Sequence, residues 1–296
     1  MRFQSPFPDS RSENQLKYFV PFKMHHQEFE PAAELRNTIK CFWYEKRDFG
    51  AHQSDFEVVP DGYAEIIFYF GRLRSTAYKE GMNPLPSPFM IGLLNQPAVF
   101  YSENFLEIVG IRFFPWAVFD LLGLAACKNG IRTFEHPITR LHDILEHSVS
   151  GGKIEEAADH LNQYFLNTKP IAINDMLSKA GTVMRDTNGT MPVSQVAEAA
   201  HATVRTLERN FKRSSGHTVK DVSALIRFEQ VRNHLLIHPK TNLAGLAHEL
   251  GYTDQSHLSR EFKRYSGVSP AVFARNVKKF PVTNATIAVE KSDSHA

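Results

Sequence analysis

The chain has 296 residues, enough for two domains, and 42% of them are apolar. No run of about 18 uncharged apolar residues occurs, and the N-terminus lacks the apolar segment of a secretory signal, so we expect neither a membrane span nor export. The two cysteines, Cys41 and Cys127, stand alone, without a CxxC motif. This usage favours a reducing compartment, the cytoplasm, and argues against a structural zinc site.

The net charge of +2 is unevenly distributed along the chain. Residues 1–184 contain 18 Lys or Arg against 22 Asp or Glu, whereas residues 185–280 contain 15 against 8. The first segment therefore carries a net charge of −4 and the second a net charge of +7. A basic segment attached to an acidic one indicates that one domain binds nucleic acid through phosphate and the other does not.

In chain order, polar residues 1–16 predict a disordered N-terminus, and residues 17–168 predict a β-rich domain with a helical extension. Val59–Gly62 is a turn signal, and Tyr78–Pro88 predicts a loop. Short β-branched and aromatic segments at this spacing are typical of an all-β barrel or sandwich. The predicted strands are Cys41–Tyr44, Phe56–Val59, Glu65–Phe70, Phe89–Ile91, Ala98–Tyr101 and Phe105–Phe113.

Helical spacing follows these strands, at Ala117–Ala126, Arg140–His147 and Ile154–Leu166. The last of these segments is amphipathic, and its apolar face has two interpretations: it packs onto the strands, or it pairs with a second copy of the chain. Asn167–Pro170 predicts a linker to the next domain, because the residue before a proline is disfavoured in a helix.

The most specific signal is a repeat between Thr203–Gly216 and Asp254–Gly267. Leu, Arg, Phe, Lys, Arg, Ser and Gly recur at a constant offset of 51 residues. Each copy predicts a basic amphipathic helix that ends at a glycine, and a short helix precedes each copy, at Val193–Ala199 and Leu243–Leu250. Two helices joined by a short turn, of which the second is basic, indicate a helix-turn-helix whose second helix enters the DNA major groove.

Three further helices complete this region: Ile173–Arg185 at its start, Asp221–His238 between the copies, and one from Pro270 to near Arg275. The connecting helix of about 18 residues spans roughly 27 Å. Together with the offset to each basic helix, this length places the two basic helices on the order of 34 Å apart, one turn of B-DNA.

The segment Leu250–Pro270, LGYTDQSHLSREFKRYSGVSP, resembles the signature of the AraC-type transcription regulators almost position for position. The resemblance covers residues 171–279 and implies a double helix-turn-helix DNA-binding domain, with residues 280–296 left as a flexible tail. The first copy departs at its turn, where Ala200 replaces the usual glycine. Because a left-handed residue other than glycine costs about 1 kcal/mol, we expect the first unit to be the less rigid.

More loosely, Val58–Gly71 and Val109–Gly123 resemble the cupin-like sensor domain that precedes some AraC-type DNA-binding domains. The expected fold class is therefore α+β and multidomain. It comprises an N-terminal β-barrel or sandwich with flanking helices and a C-terminal all-α domain of two helix-turn-helix units joined by a long helix.

Residues near the start of a recognition helix reach base edges, whereas later ones meet phosphate, and the family resemblance favours the same positions. The predicted base contacts are Arg205, Thr206, Arg209, Gln255, Ser256 and Arg260. The predicted phosphate contacts are Thr203, Lys212, Arg213, Ser259, Lys263 and Arg264. Apolar residues at every fourth position predict the core contacts of these helices, Leu207, Phe211, Leu258 and Phe262.

Catalysis is not predicted in the first domain. A cupin metal site needs two histidines one residue apart on a strand, whereas His25 and His26 are adjacent and would point to opposite faces, and His52 stands alone. No Ser/His/Asp order or glycine-rich phosphate loop occurs. We therefore expect no enzyme, no metal and no cofactor.

Ligand binding in the first domain is a separate hypothesis. Arg112 is predicted to face inward, and a buried arginine needs a partner, either a carboxylate such as Asp61 or Glu65 or an anionic ligand. The candidate ligand pocket comprises Trp43, Asp61, Glu65, Phe68, Arg112 and Trp116. Aromatic residues at strand spacing are more often part of a plain core than of a pocket.

The sequence is compatible with three functions. The leading one is a sequence-specific transcription regulator controlled by a small molecule, and the second is a DNA-binding protein whose first domain serves only dimerisation or protein contacts. A cupin-like enzyme with a DNA-binding tail comes last. The candidate partners are double-stranded DNA, a small-molecule effector, RNA polymerase and a second copy of the chain.

Overall fold

The computed structural model describes residues 23–50, 54–75, 83–124, 130–168 and 175–279. These residues form an N-terminal β domain that includes three α-helices, and a C-terminal helical domain. Several sequence predictions lie outside the described residues: those for residues 1–16, His52, Cys127, half of the linker and the tail 280–296. None of the described helices is both long and apolar enough to cross a membrane.

The strands of the β domain form two antiparallel sheets. They are β1 (Lys23–Phe29), β2 (Ile39–Asp48), β3 (Ser54–Val58), β4 (Ala64–Phe70), β5 (Leu73–Ser75), β6 (Asn83–Pro84), β7 (Phe89–Ile91), β8 (Ala98–Ser102), β9 (Phe105–Phe113) and β10 (Ile131–Arg132). Within the described residues, one sheet has six strands in the order β1-β2-β9-β4-β7-β10, and the other has four in the order β3-β8-β5-β6.

The six-stranded sheet is covered on both faces, and alternation along its strands decides which residue faces which layer. Along β4, Ile67 belongs to a buried cluster with Phe56 and Phe100 of the smaller sheet. Its neighbours Ile66 and Phe68 belong to a different cluster, which includes the helices that follow the strands. The larger sheet therefore lies between the smaller sheet and a helical layer.

That helical layer consists of α1 (Val118–Leu122), α2 (His142–Ser150) and α3 (Ile154–Asn167). Phe165 of α3 is buried, and its ring lies 6.2 Å from that of Phe42 and 5.7 Å from that of Phe113. The first interpretation of the amphipathic face is thus the one observed: it packs onto the sheet.

All six predicted strands are present, and β7 and β9 have the predicted bounds. The sequence missed β1, which is polar, and three strands of two or three residues, one of them β6 inside the predicted loop. The helix predicted from Ala117 is shorter than expected, because Gly123 ends it in the left-handed conformation with φ of 66°. The helix predicted from Arg140 is preceded by a 3-10 turn and begins at His142.

The C-terminal domain contains α4 (Asp175–Asp186), α5 (Val193–Ala199), α6 (Val204–Ser215), α7 (Val219–Ile237), α8 (Leu243–Glu249), α9 (Gln255–Ser266) and α10 (Pro270–Lys279). α7 begins two residues earlier than predicted, since Thr218 and Asp221 form a capping box there. α10 ends four residues later than the predicted Arg275.

The connecting helix α7 is a core element as well as a spacer. Buried side chains point to several of its sides, including Val222, Leu225, Phe228 and Val231. The Phe228 ring lies 5.2 Å from the rings of both Phe262 and Tyr265 in the second unit. α7 therefore has little exposed surface, and its orientation is set by packing against the helices around it.

The two turns differ from the predicted alignment. α5 and α8 are related by an offset of 50 residues, and this offset continues through the left-handed residues His201 (φ 53°) and Gly251 (φ 69°). Ala200 is right-handed, with φ of −86°. Thr253 then adds one residue, which restores the offset of 51 at the recognition helices. The prediction that Ala200 takes the place of the glycine is wrong, because His201 does so.

Candidate DNA interface and its contacts with the β domain

The recognition helices α6 and α9 begin and end alike. The Thr203 hydroxyl accepts a hydrogen bond from the Thr206 N–H at 3.2 Å, and the Asp254 carboxylate accepts one from the His257 N–H at 2.7 Å. Both helices end at a left-handed glycine after 12 residues. Each helix therefore has definite ends, and its N-terminal turn is fixed by a side-chain cap.

Most of the predicted base-contact residues are accessible to DNA. Exposed side chains include Arg205, Arg209, Gln255, Ser256 and Arg260. Thr206 is half-buried, and its hydroxyl is hydrogen-bonded to that of Thr203 at 2.9 Å. Among the described residues, none forms an ion pair with these three arginines. Their guanidinium groups are therefore free to meet base edges.

The residues predicted to meet phosphate are also accessible, with one exception. Ser259 is half-buried, whereas Lys212, Arg213, Lys263 and Arg264 are exposed, as is Thr203. Arg213 lies beside the β domain, with its guanidinium carbon 5.9 Å from the centre of the Phe119 ring. The far end of the first recognition helix is thus next to the β domain.

The predicted core positions of both helices are confirmed. Leu207, Phe211, Leu258 and Phe262 are 0% exposed, so the helices are amphipathic with the basic residues on the outer face.

An ion-pair cluster, in which Glu65 is the buried member, lies at one edge of the inward face of the larger sheet. Arg112 of β9 contacts three carboxylates, at 2.9 Å to Glu65, 3.2 Å to Glu28 and 3.6 Å to Asp61. Of the two partners considered for Arg112, the internal pair is the one observed. Because Glu65 is buried and shares one guanidinium with Asp61, its pKa is raised to about 7.

A second charged group lies further along this face. His26 of β1 lies 3.4 Å from Glu28 and 3.3 Å from Glu45, and the carboxylate of Glu45 also pairs with Arg47. Burial alone would lower the pKa of His26, but the two carboxylates outweigh it and raise this pKa to about 9. His25 lies on the opposite face, beside Tyr44, as predicted for adjacent residues of a strand.

The structure brings four of the six predicted pocket residues to this region and separates the other two. Trp43 lies flat against Gly110 on the inward face, near the cluster formed by Arg112, Glu65 and Asp61. Phe68 lies on the opposite face of β4 with the helical layer, because its position differs from that of Glu65 by an odd number of residues. Trp116 lies outside the β domain core. The inclusion of Phe68 and Trp116 in one pocket is therefore wrong.

Trp116 joins the two domains. Its ring stacks on Phe114 at 5.3 Å and contacts the ring of Phe211 in the first recognition helix at 6.1 Å. The Ser214 hydroxyl donates a hydrogen bond to the Trp116 carbonyl. A Cβ atom at Gly181 of α4 would overlap the Trp116 ring, so only glycine permits this approach. Trp116 therefore belongs to the hydrophobic core of the C-terminal domain.

A polar contact lies beside this apolar one. Arg185 of α4 donates a hydrogen bond to the Tyr63 hydroxyl at 2.6 Å, and its guanidinium lies 4.8 Å from the centre of the Phe114 ring. Tyr63 also lies 5.7 Å from the guanidinium of Arg112. The sequence did not predict Arg185 or Gly181 as contact residues, because neither belongs to the repeat and no local pattern reveals a contact between domains.

One group of potential metal ligands lies elsewhere, on the surface of α2. His142, Asp143 and Glu146 have ligand atoms within 4.8 Å of one another, and both carboxylates are exposed. Exposed acidic groups commonly lie this close without an ion, so we assign no metal to them.

Comparison with known families separates the chain into the same two parts. Residues 196–276 match the model of a helix-turn-helix domain, and residues 27–128 match a domain of unknown function, DUF6597. The first match contains both recognition helices, and the second covers most of the two sheets. The C-terminal domain is thus a double helix-turn-helix DNA-binding domain.

Curated relatives match between a quarter and three tenths of the chain. The transcriptional activator RhaS of Escherichia coli is 33% identical over 75 residues, which is 25% of this chain and 27% of RhaS. The Msm operon regulatory protein of Streptococcus mutans is 26% identical over 86 residues, 29% of this chain and 31% of the relative. The aligned segments span about three tenths of these relatives. Both relatives are regulators by name.

Solved structures with partial similarity to the chain include ToxT of Vibrio cholerae and the AraC-like transcriptional activator CuxR. ToxT is 11% identical, with a TM-score of 0.43 over 86% of this chain and 99% of ToxT. CuxR is 11% identical, with a TM-score of 0.28 over 83% of this chain and 94% of CuxR.

Proposed function

We propose that the protein is a sequence-specific DNA-binding transcription regulator of the AraC type. One observation carries this proposal: two equally capped basic helices expose arginines at the same helical position, Arg209 and Arg260. α7 has 19 residues and therefore spans about 28 Å between the two units. A single chain of these dimensions suits two successive major grooves on one face of the duplex.

The two recognition helices carry different side chains at equivalent positions, so the proposed operator is not a palindrome. The first unit exposes Arg205 where the second exposes Ser256, at the same offset of 51. A guanidinium pairs bidentately with guanine, whereas the amide of the neighbouring Gln255 suits adenine. The proposed cellular location is the cytoplasm, where such a regulator meets DNA and RNA polymerase.

We further propose that a small molecule bound at the inward face of the β domain controls DNA binding. Trp43 supports this proposal: it is 8% exposed, and its indole N–H has no hydrogen-bond partner among the described residues. A buried donor of this kind favours a ligand acceptor beside it. The contacts from Arg112 through Tyr63 to Arg185 supply a physical connection from this face to the DNA-binding domain.

A second candidate keeps DNA binding but assigns only dimerisation or protein contacts to the β domain. Two exposed apolar residues on its helical layer favour it, Ile144 (44% exposed) and Leu166 (42% exposed). An enzymatic function has less support, since the relatives named above are regulators and the charged residues of the inward face are paired with one another.

DNA binding is tested by selecting duplexes from a random library with the full chain and with Arg260→Ala. The parent should enrich one asymmetric site with two half-sites about one helical turn apart. Arg260→Ala should cost about 1–3 kcal/mol in affinity and lose preference at one base pair. A parent that enriches no sequence would refute the proposal, and unchanged base preferences in the variant would remove Arg260 from the interface.

Ligand control is tested by thermal unfolding of the full chain across a panel of small metabolites, in parallel with Trp43→Phe. A ligand that accepts from the indole should raise the melting temperature of the parent more than that of the variant. No shift with any compound, together with dimerisation that Ile144→Lys abolishes, would instead support the second candidate.

A further inference from the structure

Arg227 of α7 contacts the second helix-turn-helix unit and, at the same time, the loop that leads into the first unit. One of its terminal nitrogens donates a hydrogen bond to the Gly189 carbonyl at 2.7 Å, in the loop between α4 and α5. The other donates to the Glu261 carboxylate at 3.5 Å, on the recognition helix α9. Its guanidinium lies 5.3 Å from the centre of the ring of Tyr252, in the turn of the second unit.

The first of these contacts depends on the close approach of a loop to α7. Gly189 is left-handed, with φ of 69°, and a Cβ atom there would overlap the Ser223 carbonyl oxygen one turn before Arg227. This approach brings the Gly189 carbonyl within reach of the guanidinium. The Arg227 side chain is only 15% exposed, so its hydrogen bonds compete little with water.

The remaining contact of α9 with α7 is mainly aromatic, through Phe228, Phe262 and Tyr265. Aromatic packing is tight but weakly directional, so it tolerates small rotations of α9 about its contact with α7. Hydrogen bonds from a planar guanidinium fix direction as well as distance. A small rotation of α9 relative to α6 matters for DNA, because each base-pair step turns the groove by about 35°.

We propose that Arg227 is a positioning residue that sets the orientation of α9 relative to the first unit, and thereby the half-site spacing that the protein accepts. The inference rests on the proposed function, since it concerns the same DNA interface. Arg227 touches no DNA in this proposal and acts through Glu261, Gly189 and the turn at Tyr252.

The experiment measures the affinity of the full chain for its selected site with the spacer shortened by one base pair, unchanged, or lengthened by one or two, and for each half-site alone. The parent should prefer one spacing. Arg227→Gln should reduce the ratio of affinities between the best and the next spacing by about tenfold, the value of one charge-assisted hydrogen bond. Half-site affinities should change by less than about twofold, since no base contact is lost.

Arg227→Lys separates positioning from charge. A lysine ammonium keeps the charge but cannot donate to Gly189 and Glu261 in the fixed directions of a guanidinium, so its spacing ratio should resemble that of Arg227→Gln. A lysine variant with the ratio of the parent would overturn the inference. Arg232→Gln, on the same helix but in contact with the Pro60 carbonyl of the β domain, is the matched control and should retain the ratio of the parent.

Removal of Arg227 alone leaves the Glu261 carboxylate without its partner, which destabilises the fold. The double variant Arg227→Gln with Glu261→Gln replaces the ion pair by neutral amides and should fold while losing spacing discrimination. A folded double variant with unchanged discrimination would also overturn the inference. A parent that binds no duplex defeats the proposed function itself, so the two failures are distinguishable.

Discussion

The contact between Gly181 and Trp116 gives a sharp test of how the two domains are joined. Gly181 lies inside α4, where alanine would normally stabilise the helix by about 1 kcal/mol. Here the added methyl group overlaps a Trp116 ring that is only 4% exposed. We therefore expect Gly181→Ala to displace the ring and weaken the attachment of the β domain to the DNA-binding domain.

The size of the effect follows from two opposing terms. Loss of the packing of a buried tryptophan costs about 3–5 kcal/mol, as estimated from its truncation to alanine. The gain in helix propensity offsets about 1 kcal/mol of this loss. The net destabilisation of the domain contact is thus about 2–4 kcal/mol. Gly245→Ala in α8 is the matched control, since its Cβ atom would meet no heavy atom closer than 3.9 Å.

The assay uses a chain in which Trp43→Phe leaves Trp116 as the single tryptophan, because the sequence contains two. In this background Gly181→Ala should shift the Trp116 emission to longer wavelength and split thermal unfolding into two transitions. Gly245→Ala should leave emission unchanged and raise stability slightly. If Gly181→Ala behaves like Gly245→Ala, the described domain contact is absent in solution.

Three other substitutions test separate features. Lys263→Ala should weaken binding to all sequences about equally and reduce the slope of log affinity against log salt by about 1, as salt titrations would show. His201→Gly should raise the free energy of unfolding by about 1 kcal/mol in denaturant melts, since it removes the strain of a left-handed residue other than glycine. Ala200→Gly should lower the free energy of unfolding, because Ala200 is not left-handed. The opposite result for the two variants would restore the predicted alignment, in which Ala200 replaces the glycine. The pKa of His26 is raised from 6.5 to about 9, so the folded state binds more protons than the unfolded state between these pH values. The stability of the protein should therefore fall as the pH rises from 6.5 to 9. His26→Gln should remove this His26-dependent loss of stability, as thermal melts at pH 6.5 and 9 would show.

The sequence predicted the DNA-binding domain well because its signals are local. Helix periodicity, glycine stops and capping residues all occur within a few positions, and the repeat supplied each signal twice. The error in the turn, at Ala200, arose because an offset read from the recognition helices does not hold before the extra residue Thr253. A single inserted residue changes which side chain occupies the left-handed position.

The β domain and its attachment were less predictable because they depend on contacts between residues far apart in the chain. β1 has a polar sequence and forms a strand because every one of its residues pairs with a residue of β2. Trp116 was predicted to be a pocket residue because the sequence does not show that α4 and α6 pack against it. Arg227 has no local signal, since its partners lie 38 and 34 residues away.

In the proposed function, α6 and α9 bind successive major grooves of one duplex. Footprinting of guanine N7 positions on the selected site, with the full chain bound, tests it most directly. Two protected clusters about 10–11 base pairs apart on one face of the helix are predicted, with Arg209→Ala and Arg260→Ala each removing protection from a different cluster. A single protected cluster that both variants affect alike would contradict the account.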